Sequence, residues 1–390
     1  MKRSLRLHIP AFVATRIVLN TMVRMVYPFL PAFSRGLGVD LRVLSLALSI
    51  RSGAGVFGPF LAFIADSRGR KAGMLFGLGL YTAGAALTAL WPVYPAFVIT
   101  LVLTILGNFM FIPSMQAYLG DRVAYRRRGL ALALTEFGWS LSFIIGVPLV
   151  GFLISRWGWM APFPFLSAMG FLALLLLGWL LPRDPAPAAD RPSLWENLQR
   201  VLGYSPALAG IVMGLLFSSA NEVVNLVFGV WMEDSFGLKI AALGAASAVI
   251  GVSELGGESL VGVLSDRLGK ARSVAAGLVL NSLAALALPW LGQSVTGALV
   301  GLFLFYITFE FALVSSIPVM TEVLPAARAT LMATFIGATS LGRALGAFLA
   351  TPIFAYGIFS SGLAAVVFNL LALVALRFVS AYKREPVPGI

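Results

Sequence analysis

Twelve long apolar runs, separated by short polar segments, constrain this chain more than any other feature of its sequence. Each run is close to the roughly 20 apolar residues that a helix needs to cross the hydrocarbon core of a bilayer. Hydrophobic residues make up 59% of the chain and charged residues 11%, whereas soluble domains carry about 25% charged residues. The sequence therefore predicts an all-α membrane protein with twelve transmembrane helices. The runs are 9–33, 41–65, 72–91, 95–118, 129–155, 159–181, 205–233, 239–265, 271–292, 294–318, 326–356 and 358–380.

Several kinds of chemistry are excluded by what the chain lacks. It contains no cysteine and a single histidine, His8, so thiolate metal sites, cysteine nucleophiles and histidine-based triads are not available. The sequence has no G-x-x-x-x-G-K-[ST] motif for ATP hydrolysis. We expect His8 to lie at the surface, ahead of the first run. The prediction is a protein that is not an enzyme and needs no cofactor or metal.

The basic residues are distributed unevenly between the two sides of the predicted bundle. Of the 28 lysines and arginines, about 20 lie in segments on one side and about 4 on the other. By the positive-inside rule, both termini are expected in the cytoplasm, in a cell inner membrane. The net charge of +12 is thus explained by the basic segments on the predicted cytoplasmic side, and no nucleic acid partner is expected.

A proline-rich charged segment divides the runs into two sets of six. We predict a six-helix bundle over 1–181, a cytoplasmic linker over 182–204 that contains a short amphipathic helix, and a second six-helix bundle over 205–390. Residues 62–71 read AFIADSRGRK and residues 262–271 read GVLSDRLGKA, at an offset of 200. A repeat with the same topology predicts two pseudo-symmetric bundles.

These repeated segments resemble the cytoplasmic signature G-x-L-A-D-R-x-G-R-K of the major facilitator superfamily. The first copy departs from it, with Ala62 and Ser67 in place of Gly and Arg. The twelve-helix plan is similar along essentially the whole chain, and the resemblance implies a transporter that works by alternating access. The segment 24–31, which carries paired prolines, is similar to the drug-exporter branch, and 146–151 loosely resembles an antiporter motif. The fourth run lacks the arginine that many proton-coupled members carry there.

The repeated segments, with the basic residues near them, are predicted to form a cytoplasmic gate. Their carboxylates can accept charge-assisted hydrogen bonds that hold this side shut and break when it opens. The alternative is that these loops are basic only because of topology. The gate residues are Asp66, Gly69, Arg70, Asp266, Arg267, Gly269, Arg128 and Arg328.

Nine ionisable residues lie well inside the apolar runs, where each costs at least about 2.5 kcal/mol if it faces lipid. We expect them to face water or one another. The N-terminal half is rich in arginine and the C-terminal half in glutamate, so ion pairs across the halves are expected to exchange during transport. The alternative is that they form fixed ion pairs that only orient helices. The nine are Arg16, Arg24, Arg51, Glu136, Glu222, Glu254, Glu258, Glu310 and Arg343.

Two functional groups are predicted among these residues and their polar neighbours. Helical spacing places Arg16, Asn20 and Arg24 on one stripe of the first helix. Tyr306 and Trp139 are expected to pack helices more than to line a cavity. The predicted substrate-binding residues are Arg24, Arg51, Asn20, Tyr27, Asn221, Asn225 and Arg343. The predicted proton-coupling residues are Glu222, Glu254, Glu136, Glu258 and Glu310.

Three functions remain open from the sequence. The first is a proton-coupled antiporter that exports small amphipathic compounds. The second is a carrier for an organic anion, by uptake or exchange, and the third is a lipid flippase or a membrane receptor. The expected partners are a small-molecule substrate, protons and membrane lipid, and the expected oligomeric state is a monomer.

Overall fold

A computed structural model describes residues 3–58, 60–61, 69–123, 125–182 and 194–381. These residues form helices and turns, and the described part of the chain contains no strand. Ten of its helices are long and apolar enough to cross a membrane, so the predicted all-α membrane fold is confirmed. The helices are α1 (Arg3–Arg24), α2 (Leu30–Leu37), α3 (Leu41–Ala54), α4 (Arg70–Leu90), α5 (Tyr94–Arg122), α6 (Tyr125–Leu141), α7 (Val147–Trp157), α8 (Pro162–Leu180), α9 (Leu194–Leu202), α10 (Ser205–Asn225), α11 (Phe228–Phe236), α12 (Ile240–Leu268), α13 (Lys270–Leu291), α14 (Val295–Val323), α15 (Arg328–Phe354) and α16 (Ile358–Ala381).

Four of the twelve predicted runs are interrupted within the described residues. The first breaks between α1 and α2, where Pro28 has no N–H to donate, and the N–H of Tyr27 bonds to the carbonyl of Arg24 at 3.3 Å. The second tightens into a 3-10 helix over Gly55–Phe57, and the fifth contains a π-helical turn over Ser142–Gly146. The seventh breaks between α10 and α11. Such interruptions in transporter helices commonly mark functional segments.

Contacts divide the chain into two compact units, of which the first comprises Met1–Ala189 and Phe228–Val252. Within it α4 packs against α5 and α8, and α1 packs against α6. The α4–α5 contact is very close, because a Cβ on Gly77 would lie 2.5 Å from the carbonyl oxygen of Gly107. Small residues at such contacts let membrane helices pack backbone to backbone.

The second unit comprises Asp190–Val227 and Ser253–Ile390. Here α13 packs against α14 and α16, and α10 packs against α15, around buried aromatic rings of Phe217 and Phe335. These helices are the repeat equivalents of α4, α5, α8, α1 and α6. The predicted bundles over 1–181 and 205–390 remain a prediction, since the contact grouping places Phe228–Val252 with the first unit.

Each of the two repeated segments contains a glycine with a positive φ. Gly69 has φ 97° immediately before α4, and Gly269 has φ 84° immediately before α13. This region of backbone space favours glycine, which explains why the glycine is kept in both copies. In the linker, α9 is the short helix that the sequence predicts, with Trp195 exposed and Val201 buried.

Candidate functional site

In the first unit, Arg16 on α1 forms an ion pair with Glu136 on α6. The guanidinium of Arg16 lies 2.7 Å from the carboxylate of Glu136 and also donates to the carbonyl of Thr135 at 2.9 Å. The Arg16 side chain is 3% exposed and that of Glu136 is 40% exposed. Both partners belong to the same unit. The expectation that these charges pair across the two halves is therefore wrong for Arg16, because α1 and α6 pack directly on each other.

The next two polar residues of the α1 stripe also face the fifth run. Asn20 donates to the carbonyl of Gly138 at 3.3 Å and accepts from the amide of Asn108 at 3.2 Å. Arg24 donates to the carbonyl of Trp139 at 3.0 Å, and its guanidinium carbon lies 4.1 Å from the centroid of the Trp139 ring. The predicted stripe is thus a continuous polar seam along α1.

Arg51 on α3 binds the break between α1 and α2. Its Nη1 donates to the carbonyl of Val23 at 2.9 Å, and its Nη2 donates to the hydroxyl of Tyr27 at 2.5 Å. The Val23 carbonyl is available because the N–H of Tyr27 bonds to Arg24 instead. Arg51 is only 2% exposed, so a buried cation holds the interrupted backbone in place.

The segment α11 packs against the same break and against α2. Gly229 on α11 lies against the backbone of Tyr27 and Pro28, since a Cβ there would be 2.6 Å and 2.5 Å from their carbonyl oxygens. Farther along, Arg35 on α2 pairs with Glu233 on α11 at 2.6 Å. A side chain larger than hydrogen at position 229 would push these two helical segments apart.

In the second unit, Glu222 lies in the last turn of α10, just before the break to α11. Its carboxylate accepts from the amide of Asn225 at 3.4 Å, and the oxygen of that amide accepts from the hydroxyl of Tyr306 at 2.7 Å. Glu222 is 1% exposed, and a Cβ on Gly346 of α15 would lie 2.6 Å from its Cβ. The predicted site residues Glu222 and Asn225 are therefore brought together with Tyr306.

The remaining predicted residues of the second unit differ in burial. Glu254, Glu310 and Asn221 are buried, and the Asn221 side-chain oxygen has no hydrogen-bond donor among the described residues. Glu258 and Arg343 are half-buried. All of these residues lie on α10, α12, α14 and α15, and the substrate and proton roles assigned to them remain predictions.

The predicted cytoplasmic gate is only partly described. Asp66 lies outside the described residues, as do the side chains of Arg128 and Asp266. Arg70 donates to Asp121 at 3.4 Å, Arg328 donates to the carbonyl of Thr321 at 2.8 Å, and Arg267 is exposed. Arg70 and its repeat equivalent Lys270 each pair with an acid at the end of the next helix, Asp121 and Glu322 respectively.

The structure adds residues that sequence reasoning missed. His8 is buried rather than at the surface, and its Nδ1 lies 3.1 Å from the hydroxyl of Tyr118. Asn108 joins the Asn20 seam, and Gln116 donates to Glu136 at 3.4 Å. Polar side chains within the apolar fourth run were the available signal for these two.

Comparisons with known proteins agree with this architecture. The model of the Major Facilitator Superfamily matches residues 13–351. The uncharacterized MFS-type transporter YwfA of Bacillus subtilis is 26% identical, covering 97% of this chain and 93% of that protein. The inner membrane transport protein YdhP of Escherichia coli is 26% identical, covering 91% of each chain. The multidrug resistance protein MdtG of Enterobacter lignolyticus is 26% identical over 66% of this chain and 64% of its own.

A solved structure shares the fold at much lower sequence identity. The peptide transporter POT, solved as an E310Q mutant in complex with alafosfalin, superimposes with a TM-score of 0.78 at 15% identity, covering 96% of this chain and 95% of its own. The chain belongs to the Major Facilitator Superfamily of transporters.

Proposed function

We propose that the protein is a secondary active transporter that exports small amphipathic compounds in exchange for protons, by alternating access. The observation that carries this proposal is the buried Glu222 at the end of an interrupted helix, which accepts a hydrogen bond from Asn225, itself bound by the Tyr306 hydroxyl. Buried carboxyl groups at such interruptions are the usual proton-carrying sites of membrane transporters. The name of MdtG, a multidrug resistance protein, supports the substrate class.

Glu222 is placed so that its protonation can act on neighbouring helices. The carboxylate accepts from Asn225, and the Cβ is in close contact with the position of Gly346 on α15. A proton removes the negative charge, which weakens the charge-assisted hydrogen bond from the amide. The packing of α10 against α15 is then coupled to the proton, as an exchange mechanism requires.

The contact of α11 with the break between α1 and α2 supplies the second element of the proposal. Gly229 packs on the break at Tyr27 and Pro28, and alternating access requires this contact to separate in the opposite state.

We further propose a monomer in a cell inner membrane with both termini in the cytoplasm, as the basic segments indicate. Membrane lipid is the only other partner proposed.

The test uses purified protein in liposomes that carry a pH gradient, with ethidium as the amphipathic probe. The gradient is expected to drive ethidium movement, and an ionophore that collapses the gradient is expected to stop it. Glu222→Gln is expected to lose the gradient dependence, whereas Glu196→Gln on the exposed face of α9 serves as the matched control. Ethidium transport that is unchanged by the ionophore and by Glu222→Gln contradicts proton coupling.

The same liposomes distinguish the proposed function from the two alternatives, an anion carrier and a lipid flippase. Saturable uptake of a labelled organic anion without ethidium transport favours the anion carrier, for which the buried Arg51 is the specific observation. Movement of labelled lipid without any ion gradient favours the flippase.

The proposed membrane orientation has its own test. Because the chain has no cysteine, Tyr356→Cys and Arg200→Cys give background-free labelling sites. An impermeant maleimide is expected to label intact cells only at position 356.

A further inference from the structure

Arg51 differs from Arg16, also a buried arginine of the first unit, because no carboxylate among the described residues balances its charge. It is 2% exposed, and its two hydrogen-bond acceptors, Val23 and Tyr27, are neutral. Among the described residues, no acid lies within ion-pair distance of Arg51. An isolated buried charge is unfavourable by several kcal/mol unless something pairs with it, so this arrangement is incomplete without an anion.

The guanidinium also has an unused donor. The Nε of Arg51 is buried and has no hydrogen-bond acceptor among the described residues. The Nε of Arg16 has none either, but there Glu136 neutralises the charge. Arg70 also has a buried donor without an acceptor, but it pairs with Asp121. Among the arginines that the structure describes with such a donor, Arg51 is thus the one without a carboxylate partner. Buried donors without acceptors are rare in folded proteins and call for an explanation.

Arg51 lies beside two interruptions of regular α-helix. Its acceptors belong to the break between α1 and α2, and non-helical backbone at membrane depth occurs where it is buried or lines a cavity. The 3-10 turn of Gly55–Phe57 begins four residues after Arg51, and such turns within helices often act as hinges. Arg51 is thus placed between two segments of the kind at which transporter helices bend.

We propose that Arg51 binds the carboxylate group of an amphipathic organic anion, with the ring of Tyr27 beside it. The planar guanidinium matches a carboxylate better than a point charge does, and its carbon lies 5.2 Å from the centroid of the Tyr27 ring. The bound carboxylate supplies the missing charge and the missing acceptor for Nε. This proposal deepens the proposed function, on which it rests, by naming the anionic subset of amphipathic substrates.

The test compares two ligands of nearly equal shape, 1-naphthaleneacetate and 1-naphthaleneacetamide, titrated calorimetrically against the purified full-length protein without any ion gradient. The wild type is expected to bind the acid about tenfold to a hundredfold more tightly than the amide, the usual effect of a charged hydrogen-bond pair. Arg51→Gln is expected to abolish this preference, and Arg51→Lys to keep part of it. The matched control is Arg42→Gln, which removes an exposed arginine from the same helix and is expected to change nothing.

Equal binding of acid and amide by the wild type overturns the proposal, and so does an unchanged preference in folded Arg51→Gln. The wild-type comparison alone decides the matter if Arg51→Gln fails to fold. Sodium sulfate is titrated in the same way. If sulfate binds as tightly as 1-naphthaleneacetate, the site is one for inorganic anions and the proposal is overturned. If the protein transports ethidium along the gradient but binds acid and amide equally, this inference is refuted and the proposed function stands. If it prefers the acid but shows no gradient-driven transport, the proposed function is refuted and the anion site stands.

Discussion

Arg16 and Arg51 are two buried arginines of the same unit with opposite charge environments. Their exposed fractions are 3% and 2%, and each donates to a backbone carbonyl. Arg16 has a carboxylate partner in Glu136, whereas Arg51 has a carbonyl and a phenol. The difference teaches that burial of a charge does not define its role. The partner does, because a neutralised arginine stabilises the bundle while an unbalanced one is available to a ligand.

The largest expected effect comes from removing the acid of the balanced pair. Glu136→Ala leaves Arg16 buried and charged. It should lower the free energy of unfolding by about 3 kcal/mol, the lower end of the range for a buried charge that loses its partner, because Glu136 itself is 40% exposed. Denaturant unfolding in detergent, monitored by tryptophan fluorescence, measures this change.

The comparison variant for that experiment is Arg51→Gln, which leaves no acid without its partner. Its unfolding free energy should change by less than about 1 kcal/mol, since Gln can still donate to the Val23 carbonyl. If Arg51→Gln destabilises the protein as much as Glu136→Ala, then Arg51 is a structural residue like Arg16 and the contrast is wrong.

Gly229→Ala tests the backbone that supports Arg51 without touching the Arg16 pair. The added methyl group would meet the carbonyl oxygens of Tyr27 and Pro28, and overpacking of this kind lowers stability by about 2 kcal/mol. Thermal unfolding is the measurement, and Gly262→Ala is the control because no atom lies within 4 Å of its added Cβ. Equal stability of the two variants would show that α11 does not hold this break.

Tyr27→Phe removes one of the two neutral partners of Arg51. We expect a loss of about 1 kcal/mol in unfolding free energy, the usual contribution of one hydrogen bond, and a retained preference for 1-naphthaleneacetate over its amide. Calorimetric titration gives the preference and chemical denaturation gives the stability. A complete loss of the preference would mean that the phenol, and not the guanidinium, recognises the ligand.

The smallest effect is expected at the exposed ion pair between Arg35 and Glu233. The Arg35 side chain is 60% exposed and that of Glu233 is 24% exposed, and surface pairs contribute about 0.5 kcal/mol or less. A double-mutant cycle with Arg35→Gln and Glu233→Gln measures the coupling. A coupling as large as that of Arg16 with Glu136 would show that exposure is not what separates these pairs.

The positions of the membrane spans, and one of the breaks within them, could be predicted from the sequence. Apolar length alone located the helices, and Pro28 marks the break after α1, because proline removes a backbone donor. The break between α10 and α11 contains no proline, so this signal could not locate it. Gly229, which follows that break, lies close to Tyr27 and Pro28, a contact that the sequence alone does not reveal. The π-helical turn before Pro148 was not predicted either, although Gly146 there is in close contact with Thr21.

For the site, the sequence identified the buried charges but not their partners. Helical spacing placed Arg16, Asn20 and Arg24 on one stripe, and the structure confirms that all three contact the fifth run. It could not show that Glu136 pairs with Arg16, whereas Arg51 has no acidic partner in the part of the chain that the structure describes, since both depend on which helices pack together. His8 was misplaced for the same reason: Tyr118 and Phe12 cover it.

Ligand-linked thermal stabilisation tests the contrast between the two arginines most directly. Saturating 1-naphthaleneacetate should raise the unfolding midpoint of the wild type and of Glu136→Gln, because a ligand that binds only the folded state stabilises it. It should not raise the midpoint of Arg51→Gln. A midpoint that rises equally in Arg51→Gln, or that fails to rise in the wild type, would contradict the claim that Arg51 is kept unbalanced to bind an anion.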